Sequence, residues 1–288
     1  MNVLAAILLL CVLINLAVAG YVFWRRHSRA SHYAFAVLAL VFACWTFSNL
    51  MIALSDAKVP VILWGRAAFA LATLIGLAYV VFSWCFPETY HVRRPPAWGI
   101  GLAAGTCGLV VALSVTDLIQ QDAVLKGGHW QLVTGPLHWV FVSYMLAAFG
   151  WGTVNLICSR SQAPAGRERM QLNYTLTGFV LAFPVGYLTN FVAPLLVPDA
   201  NVILVGGVGP AIWSLFTFYA IVRYRLMDIG IPLRASAIHA IVVVALAAFF
   251  VVPMTLFPRF EGLTGPLRVV VLLVLAVAFA LIVEPLHE

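Results

Sequence analysis

The chain has 288 residues, 64% of them apolar and 9% charged, with a mean hydropathy of +1.04. A water-soluble domain carries roughly 25% charged and about 45–50% apolar residues, so these charges cannot coat a water-facing surface and the excess apolar surface needs lipid. The formal charge of +6 argues for no nucleic-acid partner, because the basic residues sit in short clusters between apolar runs, where they act as topology signals.

A helix crossing a hydrocarbon core of about 30 Å needs about 20 apolar residues at 1.5 Å each. Nine such runs cover residues 2–24, 33–54, 61–86, 98–116, 136–158, 172–196, 202–223, 237–257 and 266–283. The other spanning solution, a closed barrel, uses short alternating segments, whereas these runs are long and continuous. The pattern predicts an all-α polytopic bundle of nine transmembrane helices. Ala17-Val18-Ala19 resembles a cleavage site, but Arg25, Arg26 and Arg29 follow the first run, and a signal peptide carries its charge in front. The first run is therefore expected to stay as a helix with its N-terminus outside.

Alternate loops hold Arg25, Arg26, Arg29, Arg93, Arg94, Arg160, Arg167, Arg169, Arg223, Arg225 and Arg234, eleven of the sixteen basic residues. The other loops and helix ends mix Lys58, Arg66, Lys126, Arg259 and Arg268 with Asp56, Asp117, Asp122, Asp199 and Glu261. The arginine-rich side is predicted to be cytoplasmic, which puts the C-terminus inside. The longest loop, Asp117 to Gly135, is then external and contains Lys126-Gly127-Gly128-His129-Trp130. It reads equally as a linker with an interfacial Trp or as a lid over a ligand. Gly206-Gly207-Val208-Gly209-Pro210 falls within the seventh run and is expected to give close helix packing and a kink.

Several chemistries are missing. Cys11, Cys44, Cys85, Cys107 and Cys158 lie in or at the ends of apolar runs without a C-x-x-C, so they read as small core hydrophobes rather than disulfides or metal ligands. His27, His32, His91, His129, His138, His239 and His287 include none at mid-membrane, so no facing pair is placed to ligate haem. H-E-x-x-H, G-x-S-x-G and Walker-type motifs do not occur. All ten acids lie in loops or at helix ends, which argues against proton-driven transport. No cofactor or metal is expected.

Polar residues inside spans are costly and call for a partner or a cavity. Arg66, in Leu63-Trp64-Gly65-Arg66, either snorkels to the outer interface or faces inward to bind an anionic or carbonyl-bearing group. Asn49, His138, Trp139, Tyr187, Asn190 and Asn201 fall at a similar outer depth, with Trp45, Tyr144 and Trp213 deeper. Such a set describes a small-molecule pocket; it also describes, and somewhat more simply, an aromatic belt with ordinary interhelical hydrogen bonds.

The seventh run leaves the membrane as Tyr219-Ala220-Ile221-Val222-Arg223-Tyr224-Arg225-Leu226-Met227-Asp228-Ile229. This run resembles the end of the N-terminal multi-helix sensor region of bacterial histidine kinases, which is also found ahead of diguanylate cyclases. Arg167-Glu168-Arg169-Met170-Gln171 and the Trp64-x-Arg66 element are similar to the same family, and the resemblance covers about residues 1–230. It implies a sensor region at 1–230, followed at 231–288 by two further helices leading to a cytoplasmic output domain. It implies a membrane receptor module, itself not an enzyme, in the bacterial inner membrane. Tyr224, Arg225, Leu226 and Asp228 would form the signal output. Some nine-helix relatives receive acyl-homoserine lactone signals, so an acyl-lactone or fatty-acid-like amphiphile is the expected ligand, with membrane lipid and a homodimer partner. The sequence stops at Val283-Glu284-Pro285-Leu286-His287-Glu288 without a phospho-acceptor helix, which suggests a truncated sensor or output domains beyond residue 288. The alternatives are a small-solute facilitator and a lipid-modifying enzyme using Glu88 and His91, which more simply form a solvated turn.

Overall fold

The computed structural model describes residues 3–24, 30–87, 97–126, 129–164, 166–187 and 206–225. Seven helices lie among these residues: α1 (Val3–Trp24), α2 (Ala30–Leu54), α3 (Lys58–Cys85), α4 (Ala97–Ser114), α5 (His138–Gln162), α6 (Arg167–Tyr187) and α7 (Val208–Arg225). Two strands, β1 (Gln120–Lys126) and β2 (His129–Thr134), stand between α4 and α5.

The helices coincide with the first seven apolar runs. Helices α1 to α5 are each long and apolar enough to cross a membrane, while the apolar part of α7, Val208–Ile221, is shorter. Several helices outrun their apolar stretch: α2 starts at Ala30, α3 at Lys58 and α6 at Arg167, and α5 continues to Gln162. The headgroup zone adds several ångströms to each side of the hydrocarbon core, and a helix can keep its polar end turns there. The runs at 237–257 and 266–283 lie outside the described residues, as do Glu88, His91 and His287.

Helix α3 is central, packing on α2, α4, α5 and both strands, while α6 pairs with α7 and α1 touches both α2 and α7. Fully buried Phe35, Leu38, Tyr79, Phe82, Leu156 and Leu172 form the interior. Trp213 of α7 is set among Phe35, Phe42, Tyr79 and Phe82, with ring centroids 5.5 to 6.0 Å apart. The outer faces stay apolar: α4 turns Trp98, Ile100, Leu102 and Leu109 outward. A surface of this kind suits lipid, since lipid carries no penalty for exposed hydrocarbon. All five cysteines are free thiols, with Cys11 and Cys107 buried but Cys44 exposed, so the expectation of a core position fails at Cys44.

The fold is not all-helical, which corrects the sequence expectation. β1 and β2 pair antiparallel, with Ala123 opposite Leu132 and Leu125 opposite Trp130, and a register shift between Gln120 and Asp122. Lys126-Gly127-Gly128-His129 is a two-residue hairpin signal between strand-forming residues, which a search for long apolar runs passes over. The hairpin base is closed by Gly135 N–H donating to the Ile119 carbonyl at 2.8 Å and Leu137 N–H donating to the Leu118 carbonyl at 2.9 Å. A Cβ at Gly135 would collide with the backbone carbonyls of Asp117 and Leu118, so this close approach requires glycine.

The glycine segment of the seventh run is also placed differently. Gly206 and Gly207 form a turn and α7 begins only at Val208, so Pro210 sits in the first helical turn, where a missing N–H costs nothing. Close packing is present: a Cβ on Gly209 would lie 2.9 Å from the Ala182 carbonyl oxygen of α6.

Candidate functional site

One end of the bundle carries the hairpin, the start of α3 and the start of α5. Beneath the hairpin base, between α2, α3, α5, α6 and α7, lies a cavity of about 620 Å³. Each helix contributes a single face. Phe42, Trp45 and Asn49 on α2 are spaced i, i+3, i+7, and Phe179, Ala182, Phe183 and Gly186 on α6 are spaced i, i+3, i+4, i+7, the helical repeat that stacks side chains on one side. On α5 the lining comprises His138, Trp139, Phe141, Val142, Met145 and Phe149, and on α3 it includes Ala68, Phe69, Ile75 and Tyr79. Residues Leu132, Val133, Thr134, Gly135 and Pro136 roof it, held there by the hairpin-base hydrogen bonds.

The cavity is deep. Ala68 to Tyr79 on α3 and His138 to Phe149 on α5 each run down from the hairpin end, a depth of about 16 Å at 1.5 Å per residue. The floor is aromatic: Tyr79 stacks on Phe179 at 5.4 Å and meets Phe149 at 5.4 Å and Trp213 at 5.8 Å. Among the described residues, no Lys, Arg, Asp or Glu lines the cavity. Three of its buried polar atoms, Asn49 Nδ2, His138 Nδ1 and Trp213 Nε1, have no hydrogen-bond partner among the described residues, whereas the Tyr79 hydroxyl shares a 3.1 Å hydrogen bond with Thr153. Asn49 is 4% exposed and Trp213 2%.

Of the residues singled out from the sequence, Trp45, Asn49, His138, Trp139 and Trp213 come together here. Trp139 is also 66% exposed, so it serves the rim and the outer aromatic surface alike. Arg66 does not line the cavity. It pairs with Asp117 and its Nη1 donates to the Val115 carbonyl at 3.4 Å, so both the anion and the carbonyl foreseen for it come from the chain's own loop. Trp64 packs edge-on against Phe47 at 5.7 Å. The Tyr144 hydroxyl donates to the Thr73 carbonyl at 3.1 Å, which ties α5 to α3 outside the cavity. Tyr187 ends α6 and Tyr224 and Arg225 end α7, but their side chains lie outside the described residues, as do Asn190, Asn201, Leu226 and Asp228.

Sequence reasoning favoured polar and Trp residues, and so missed Phe42, Phe69, Tyr79, Phe141, Met145, Phe149, Phe179 and Phe183. A usable signal existed in the aromatic spacing along α5 and α6. It is faint because transmembrane helices are apolar on every side, so periodicity separates no inner face from an outer one.

Two ion pairs, Arg66–Asp117 and Lys58–Asp122, stand at this end beside the cavity. Lys58 Nζ lies 2.8 Å from Asp122 Oδ2, and the Ala123 N–H donates to Asp122 Oδ1 at 2.8 Å. These bonds, the Lys58 one foremost, hold the Asp122 carboxyl below its ordinary value.

Seven helices and a motif-bearing exit from α7 point to one family. A comparison with curated proteins gives no match. Residues 7–230 match the family described as the N-terminal 7TM region of histidine kinase. That span takes in α2 to α7, the hairpin, the cavity and the Tyr219–Ile229 run. The chain therefore belongs to the family of N-terminal 7TM regions of histidine kinases, a non-catalytic, multi-pass membrane sensor region.

Proposed function

We propose that this chain is the receptor module of a two-component histidine kinase in the bacterial inner membrane, and that the cavity is its signal site. The observation that carries this reading is a cavity of about 620 Å³, aromatic-walled and roofed by the hairpin, with three buried polar atoms that have no partner among the described residues. Pockets of roughly 300–1,000 Å³ with a few placed polar groups are typical small-molecule sites. An amphiphile of the acyl-lactone kind used as a quorum signal suits its dimensions.

In this proposal the hairpin end is external and the C-terminus cytoplasmic, with nine crossings, as the arginine distribution supports. Residues 1–230 sense, and the segment 231–288 links them to the output domains, through which the protein dimerises. The cavity lies between α2, α3 and α5 on one side and the α6–α7 pair on the other. A ligand that binds one arrangement of that pair better than another shifts the equilibrium by its differential affinity. Movement of α7 then reaches Tyr224, Arg225, Leu226 and Asp228 at the exit.

Thermal unfolding of the purified chain with a panel of acyl-lactones and acyl chains tests this reading. We expect a ligand-dependent rise in Tm that Ala68→Trp, which fills the cavity, abolishes. Absence of a shift with every ligand, or a shift that survives Ala68→Trp, would remove the cavity as the signal site.

A further inference from the structure

We infer that the cavity takes an uncharged, elongated amphiphile whose head group accepts hydrogen bonds, an ester, lactone or amide carbonyl rather than a carboxylate. The inference rests on the cavity being the ligand site and says what chemistry that site admits.

Electrostatics decides against an acid. The described cations nearest the mouth, Arg66 and Lys58, are paired with Asp117 and Asp122, and neither lines the cavity. A carboxylate entering would shed its hydration without gaining a counter-charge, and that desolvation is the largest penalty a buried group can meet. A neutral carbonyl needs only a donor. Asn49 supplies one: its amide is buried on the lining with Nδ2 unpartnered, so bonding a carbonyl relieves an existing cost.

Position sets the polarity of the ligand. Asn49 is five residues from the hairpin-side end of α2, and His138 opens α5, so both stand at the mouth. Below them Phe69, Phe141, Met145 and Phe149 offer only hydrocarbon and ring faces; at the floor the Tyr79 hydroxyl is bonded to Thr153 and Trp213 Nε1 is a lone indole donor. A polar head at the mouth with an apolar tail reaching about 16 Å down matches this gradient.

The test uses the full chain in nanodiscs with three straight-chain probes of equal carbon number: an alkane, its methyl ester and its carboxylate. Binding is read by tryptophan fluorescence, since Trp45, Trp139 and Trp213 line the cavity. The ester should bind about tenfold tighter than the alkane, as expected for one hydrogen bond. At neutral pH the ester should also exceed the carboxylate by more than about tenfold. In Asn49→Leu the ester should fall to the alkane's affinity while alkane binding, which shows that the variant is folded, persists. Without any variant, carboxylate affinity should rise as pH falls through its own pKa while ester affinity stays flat. A carboxylate that equals the ester at neutral pH, or whose affinity ignores pH, overturns the inference and leaves the cavity as a ligand site. Failure of all three probes to bind, or binding that survives Ala68→Trp, overturns the cavity reading and the inference with it.

Discussion

The Ser214 hydroxyl donates a 2.7 Å hydrogen bond to Asn15 Oδ1, joining α7 to α1, and both residues are fully buried. Asn15 Nδ2 donates in turn to the Cys11 carbonyl at 2.9 Å, so the amide is used on both sides. The bond fixes the rotation of α7, and thereby the face on which Trp213, one residue earlier, meets the cavity floor. Ser214→Ala leaves the Asn15 oxygen without its donor and should destabilise the chain by about 1 kcal/mol. Equilibrium unfolding of Ser214→Ala, Asn15→Leu and the double variant checks this. Costs that simply add would show that the pair is not coupled.

Gly152 lets α5 lie against the Tyr79 ring: an added Cβ would fall 2.5 Å from a ring carbon, whereas at Gly150 nothing lies within 4 Å. Gly152→Ala should therefore cost about 1–3 kcal/mol through overpacking and disturb the aromatic floor, weakening ligand binding. Gly150→Ala should be neutral or stabilising by up to about 1 kcal/mol through helix propensity. Thermal unfolding of the two variants side by side separates packing from propensity.

Arg66 is spent on Asp117 and the Val115 carbonyl rather than on the cavity. Arg66→Ala should change ligand affinity by less than about tenfold and lower stability by up to about 1 kcal/mol, as for a partly exposed pair. A charge swap, Arg66→Asp with Asp117→Arg, should recover part of the lost stability. Loss of binding with intact stability would instead make Arg66 a ligand contact.

The hairpin should loosen in acid. Asp122 has its carboxyl pKa depressed by Lys58 and the Ala123 N–H, so its contribution is fully present above the ordinary carboxylate value of about 3.9. That contribution is lost as pH falls through the lower folded value. A spin label at Gln131 should gain mobility below about pH 4 in the wild type. Asp122→Asn should show the loosened signal at neutral pH and little further change on acidification.

How much was legible before folding differs between elements. Runs such as 33–54 and 61–86 marked α2 and α3 because hydrocarbon length is a one-dimensional requirement that local composition meets. Asn49, Trp45 and Trp213 were recognisable as candidates because a polar or amphipathic side chain in an apolar run demands a reason. Phe149 and Phe179 were not, because an aromatic residue in such a run is equally at home in lipid. Arg66 was noticed for the right cause, its cost in an apolar span, but its partner lies 51 residues on, and no local pattern names it.

The sequence by itself determined that the chain lives in a membrane, that it crosses it as helices and which residues have to be explained. Burial of apolar length and of backbone hydrogen bonds depends on composition and order alone. Only the tertiary structure decided which helix faces meet around the cavity, that the long loop folds back as its roof, and that Arg66 is consumed by Asp117. Those outcomes rest on helix rotation and close approach, which helices apolar on all sides leave unspecified until Gly209, Gly152 and the Asn15–Ser214 bond bring particular surfaces together.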